Sequence, residues 1–327
     1  MPTFHRRHIF LAGFGAAIGL AAHAPAFAQA AGAPLRVILP VSAGSGLDTI
    51  ARAGQNALGK QLNQPVVIDN LPGAGGVTGT ANLVKAAPDG RTIAFVSNNH
   101  SVNPSVYKKM PFDSLADITP ITVLGETPFV MVVNPAKLPV RTAKELQAAL
   151  KAKPDFYNFA SSGNGTIIHL AAQLFLDAAE VKARHIPYKG MGPMVTDIIG
   201  GQVDFGVVAI NVAQPYLKAG TLRAVGVMGA RRIPSLAEVP TFKEQGFNDV
   251  EVGGWFAVIG PKGLPAAEVR HMYDAVVAAW NTAEVKDAMA RQENLIDPMT
   301  PEASAQFMRT EQARYARIVQ KGDIKVD

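Results

Sequence analysis

The sequence predicts an α/β protein of two lobes, and three observations carry that reading. Short β-branched runs alternate with longer helical ones from residue 35 onward. Gly- and Ser-rich loops stand where several strands hand over to helices. The 327 residues also suffice for two domains of ordinary size. Each lobe is expected to hold a mostly parallel sheet flanked by helices, because strand, tight loop, helix, strand is the pattern of parallel units.

Leu35-Arg36-Val37-Ile38-Leu39 reads as a buried strand, followed by a Gly/Ser turn and a helix over about 48–60. Strands at 66–69 and 92–96 bracket a Gly-rich turn and a helix reaching about Ala87. The pattern restarts at 129–133, with strands near 157–160, 183–186, 203–208 and 222–227. Thr142-Ala143-Lys144-Glu145 has the form of a capping box, and Thr300-Pro301 places an N-cap before a proline at the first helical position. The last helix carries Phe307, Met308, Tyr315, Ile318 and Val319 on one stripe, which reads as core packing. The expected division is 32–127 for the first part of lobe 1, 128–253 for lobe 2, and 254–327 for a return to lobe 1.

Residues 1–28 read as an export signal. Arg6 and Arg7 precede the uncharged, mostly apolar run 9–22, and Ala26-Phe27-Ala28 supplies the small-x-small pattern of a cleavage site. That run is shorter than the about 20 residues a spanning helix needs. The paired arginines leave the general and twin-arginine routes both open. Residues 1–28 hold two Arg and no acid, so the formal charge of +5 becomes +3 after cleavage. With no block of like charges elsewhere, nucleic acid is not an expected partner. The chain has no Cys, which excludes disulfides, thiolate zinc sites, cysteine nucleophiles and an N-terminal lipid anchor.

Three loops are candidates for chemistry: Ser42-Ala43-Gly44-Ser45-Gly46-Leu47-Asp48, Gly73-Ala74-Gly75-Gly76-Val77-Thr78-Gly79, and Ser161-Ser162-Gly163-Asn164-Gly165-Thr166. Each follows a strand and opens a helix, where backbone N–H groups attract anions. None completes Gly-x-Gly-x-x-Gly, a P-loop lysine follows none of them, and Gly-x-Ser-x-Gly is absent. Of the four histidines beyond the signal (His100, His169, His185, His271), none has metal-ligand spacing, so no metal or cofactor is expected. For 73–79, tight turning and binding weigh evenly. In the first and third loops, accompanying hydroxyls and amides favour binding. Asp48 reads as a helix cap that could also face a ligand, and His169 as a donor to an anion or a partner of a backbone carbonyl.

Over 35–327 the chain resembles the Bug family, extracytoplasmic substrate-binding components of tripartite tricarboxylate transporters. The resemblance rests on Gln64-Pro65-Val66-Val67-Ile68-Asp69-Asn70 running into Pro72-Gly73-Ala74-Gly75-Gly76, on Ala87-Pro88-Asp89-Gly90 and on the loop 160–166. Further on it rests on Pro187-Tyr188-Lys189-Gly190, Ile199-Gly200-Gly201-Gln202-Val203 and Lys218-Ala219-Gly220-Thr221-Leu222-Arg223-Ala224. It implies a two-lobed, type II-like periplasmic binding protein, a monomer hinged between its lobes. That protein closes on a small mono-, di- or aromatic carboxylate and docks on membrane transporter subunits or a sensor. The ligand-binding set expected here is Ser42, Ala43, Gly44, Ser45, Asp48, Ser97, Asn98, Ser161, Gly163, Thr166, His169 and Ala209. No catalytic residue is expected.

Two departures bear on the ligand. The family's Pro-Pro-Gly-Gly type of first loop is Ser42-Ala43-Gly44-Ser45 here, which adds hydroxyl donors. The segment Val208-Ala209-Ile210-Asn211 lacks the acid with which many members pair a ligand ammonium, implying a ligand without a positive amino group. Two other readings stay open: a sensing module that signals to a membrane partner, and an exported hydrolase using Ser45 or Ser161 with a histidine brought near by the fold.

Overall fold

The computed structural model describes residues 33–322 and 324, so the expected export signal lies outside the described residues. The first sheet begins with β1 (Leu35–Leu39), α1 (Gly46–Leu62), β2 (Val66–Asn70), α2 (Val77–Val84), β3 (Thr92–Ser97), α3 (Asn99–Val106) and β4 (Ile118–Thr127). Pro128 alone separates β4 from β5 (Phe129–Val133), which opens the second sheet. There follow α4 (Ala143–Ala152), β6 (Asn158–Ser161), α5 (Ile167–Ala179), β7 (Arg184–Pro187), α6 (Met191–Gly200), β8 (Phe205–Ala209), α7 (Ile210–Lys218) and β9 (Arg223–Val227). The chain re-enters the first sheet at β10 (Gly254–Pro261), and α8 (Ala266–Trp280), α9 (Ala283–Arg291), β11 (Leu295–Ile296) and α10 (Pro301–Lys321) complete it.

The sheets run β11-β4-β10-β3-β1-β2 and β7-β6-β8-β5-β9. Both are mixed sheets in which β10 and β11, or β5, run against the other strands. In the first, only the pairs of β1 with β2 and β3 are parallel; β10 runs antiparallel to both β3 and β4, and β11 is antiparallel to β4. In the second, β6 pairs parallel with β7 and β8, and β5 runs antiparallel to β8 and β9. The reason is topological. β5 and β10 are the first strands after each crossing, and each slots in reverse between two strands of its sheet.

Why the strand 35–39 is apolar apart from Arg36 follows from its two covered faces. Leu35, Val37 and Leu39 enter a core with Leu58 of α1 and Val276 and Trp280 of α8, whereas Ile38 enters another with Leu83 of α2 and Met308 of α10. A third core fills the second sheet around Val132, Phe159, Phe175 and Phe205. The C-terminal stripe is buried as expected, but in two places. Met308 packs with the first sheet, and Tyr315, Ile318 and Val319 pack in the core of the second.

Both sequence-predicted caps form. Thr142 Oγ1 accepts from Glu145 N at 3.1 Å, and Thr300 Oγ1 from Ala303 N at 3.2 Å. The Glu145 carboxylate reaches Arg141 N at 2.7 Å, one residue before the cap.

Candidate functional site

The first loop is a braced helix start. Ser45 caps α1, its Oγ accepting from Asp48 N at 3.4 Å. Asp48 is 2% exposed and turns back into the loop. Its Oδ2 accepts from Gly44 N and Arg52 Nε, both at 2.9 Å, and its Oδ1 from Asn70 Nδ2 at 2.9 Å. Burial opposes ionisation of Asp48, yet the Arg52 guanidinium, Gly44 N–H and Asn70 amide outweigh it and hold the carboxyl below its ordinary value. Asp48 therefore shapes the loop, and its committed acceptors argue against the ligand-facing role. Ser42, Ala43 and Gly44 are exposed and Ser45 half-buried. The N–H groups of Gly46 and Leu47, in the first turn, have no intrahelical acceptor.

The second loop is accounted for by turning. Gly73, Gly75 and Gly76 stand at φ 138°, 62° and 100°, and Asn103 Nδ2 donates to Gly75 O at 3.1 Å.

The third loop is pinned from beneath. Thr166 caps α5, its Oγ1 accepting from His169 N at 3.4 Å and donating to Gly163 O at 2.8 Å. Ser161 is fully buried, and its Oγ lies 2.7 Å from His185 Nε2, 2.9 Å from Gly163 O and 3.2 Å from Gly163 N. His169 Nδ1 accepts from Gly165 N at 3.2 Å, which fixes that ring as the tautomer carrying its proton on Nε2. The His169 and His185 rings stack with centroids 3.7 Å apart, and Phe159 stacks on His185. Burial, and for His169 also its neighbour, pushes the two pKa values down to about 3 and about 4, so both rings are neutral at pH 7.

The fold thus brings a serine and a histidine together, as the hydrolase reading required. Ser161 is nevertheless closed to solvent and its hydroxyl is committed to its own loop. The pair acts as a brace.

The remaining expected residues divide. Ser97 is half-buried at the end of β3, and Ala209 ends β8 opposite Phe129. Asn98 sits at the start of α3. It is 1% exposed, and its amide donates to Gly253 O at 2.9 Å and to Tyr315 Oη at 2.7 Å, so both hydrogens tie α10 to the second crossing.

Residues that the sequence reading passed over do face the loops. Asn99 Oδ1 accepts from Ile167 N at 3.2 Å, placing an oxygen from the start of α3 on the start of α5. Asn211 opens α7 beside Gly46, and its Oδ1 is buried without a hydrogen-bond partner. Asn99 lay hidden because Pro104 inside α3 masks that helix. Asn70 and Arg52, which hold Asp48, carry no local signal of their role.

The Tripartite tricarboxylate transporter family receptor profile matches residues 50–324. The chain belongs to this family. The Bordetella pertussis protein BugT is 32% identical over 295 residues, which are 90% of each chain. A solved Rhodopseudomonas palustris protein with adipate is 27% identical, covers 89% of this chain and 98% of its own, and superposes with a TM-score of 0.82. MatC of the same organism, solved with bound malate, is 27% identical, covers 88% and 98%, and gives 0.78. Both solved proteins superpose on the two-sheet fold described above over most of their length.

Proposed function

We propose that this receptor is exported to the periplasm, cleaved near Ala28, and binds a small organic carboxylate without catalysis between two hinged lobes. In this reading 32–127 with 254–327 form one lobe and 128–253 the other. The observation that carries the reading is the pair of capped helix starts, α1 and α5, with the Asn99 oxygen already seated on Ile167 N–H. A helix start offers N–H donors and a favourable dipole to an anion. The hydroxyls of Ser42 and Ser45 and the outer ring nitrogen of His169 supply further neutral donors. No lysine or arginine belongs to either loop, so the carboxylate is gripped by dipoles and released when the lobes part. Adipate and malate in the relatives support a dicarboxylate, and Asn211 in place of an acid supports one lacking an ammonium. Delivery to tripartite-transporter membrane subunits follows from the family.

Mass spectrometry of solutes released from gently purified protein tests this reading. A di- or monocarboxylate in stoichiometric amount is expected. A cationic or uncharged solute in its place overturns it.

A further inference from the structure

A cavity of about 360 Å³ opens where the two crossings meet, and it shares no wall residue with the three loops. Its walls are Glu126 and Pro128 at the first crossing, Gly253 at the second, the segment 229–234 after β9, and residues 290 and 293–295 ahead of and entering β11. The first sheet and the segment leaving the second therefore both contribute to it. Its size falls within the range of small-molecule sites.

The polar groups lining it are almost all spoken for. Glu293 Oε1 accepts from Gln214 Nε2 at 3.1 Å, and Glu293 stands at φ 56°, a conformation that favours glycine. Arg232 is paired with Glu244 at 3.0 Å and donates to Ala237 O at 2.8 Å. Asn294 accepts from Thr127 Oγ1 at 2.6 Å. Two charged groups remain. The side chains of Glu126 and Arg231 make no hydrogen bond and no ion pair with any described residue, or with each other. The Glu126 carboxyl lies over the second crossing, where a Cβ on Gly253 would stand 2.9 Å from its Oε2. Burial, and the fields of Glu251 and Asp297, push its pKa up against the opposing pull of Arg231. Pro128, Ile233, Pro234 and Leu295 supply apolar wall around these two charges.

We propose that this cavity is a second binding site, for a small zwitterion with an aliphatic body, such as an aliphatic α-amino acid. Its carboxylate pairs with the Arg231 guanidinium, which presents a planar fork matched to two oxygens. Its ammonium pairs with the Glu126 carboxylate. A dipolar ligand answers both unpartnered charges and brings no net charge into a partly apolar space. The site goes beyond the carboxylate reading of the loops, where Asn211 offers an ammonium no acid.

Calorimetric titration of the full mature chain with L-leucine tests it, alongside 4-methylpentanoate, which lacks the ammonium, and isoamylamine, which lacks the carboxylate. Leucine is expected to bind at least tenfold more tightly than either half-probe. Arg231→Gln and Glu126→Gln are each expected to weaken leucine at least tenfold while leaving the far-ultraviolet dichroism and the melting temperature unchanged. Thr166→Val, in the third loop, should leave leucine binding within twofold. No leucine binding up to 10 mM overturns the proposal, as do a half-probe matching leucine, full binding by both variants, or loss of binding in the Thr166 variant. Because 4-methylpentanoate is itself a carboxylate the loops can take, each probe is scored only by the binding that Arg231→Gln and Glu126→Gln remove.

Discussion

Asp48 shows how one side chain sets the shape of the first loop. Its two oxygens take a backbone N–H, a guanidinium and an amide, and each donor comes from a different position on the chain. Replacing Asp48 with Ala leaves these donors unmatched. Chemical denaturation is expected to show a loss of about 1–3 kcal/mol, and carboxylate affinity should fall because Ser42 to Ser45 lose their anchor. The sequence reading placed the cap of α1 on Asp48, whereas Ser45 is the cap and Asp48 braces the loop through Gly44 N–H. The partners Arg52 and Asn70 were not legible, because they meet Asp48 only once α1 and β2 are in register. The histidines make a second prediction at this scale. His100, His169 and His185 have pKa values lowered to about 4, about 3 and about 4, against about 6.5 in the unfolded chain. Between those limits the unfolded chain binds protons that the folded one refuses. Stability is therefore fully present above about pH 6.5 and declines as pH falls towards 4. Melting followed from pH 7.5 to 4 should show that decline, and His185→Asn should make it shallower. A flat profile in both proteins contradicts the account of the stacked rings.

At the scale of elements, α1 and α8 approach so closely that position 54 has no room for a side chain. A Cβ there would lie 2.4 Å from the Trp280 ring. In an open helix Gly→Ala gains about 1 kcal/mol. Here Gly54→Ala should instead destabilise by about 1–3 kcal/mol, as overpacking does, and an increase in melting temperature would contradict the close packing. Element type was readable wherever the pattern was pure. The strand 35–39 is apolar at alternate positions for two different cores, and its neighbours fell within a residue or two of expectation. What escaped notice carried proline. Pro104 lies inside α3, and Pro120 lies in β4 beside a register shift against β10, where a missing N–H is tolerated. The direction of β5 and β10 was illegible for another reason: it depends on how the chain crosses between sheets, and no local pattern encodes that. The same holds for α10, whose single stripe serves two cores. Tyr315 Oη on that helix donates to Glu311 and accepts from Asn98 and Trp255, fastening the helix at the second crossing.

For the whole molecule, the central claim is that a carboxylate is held by neutral donors from two helix starts. The two loops were visible in the sequence as Gly/Ser/Thr clusters after strands. The residues that meet them were not, since Gly46 and Asn211, and Ile167 and Asn99, become neighbours only through the fold. Calorimetric titration with adipate and malate, on the wild-type chain and on Thr166→Val, tests the claim most directly. Thr166 Oγ1 caps α5 and shapes its loop, so the account predicts one-to-one binding of at least one dicarboxylate and a weakening of about tenfold, near 1.4 kcal/mol, in the variant. Absence of binding by any small carboxylate, or full affinity in the variant, would contradict it.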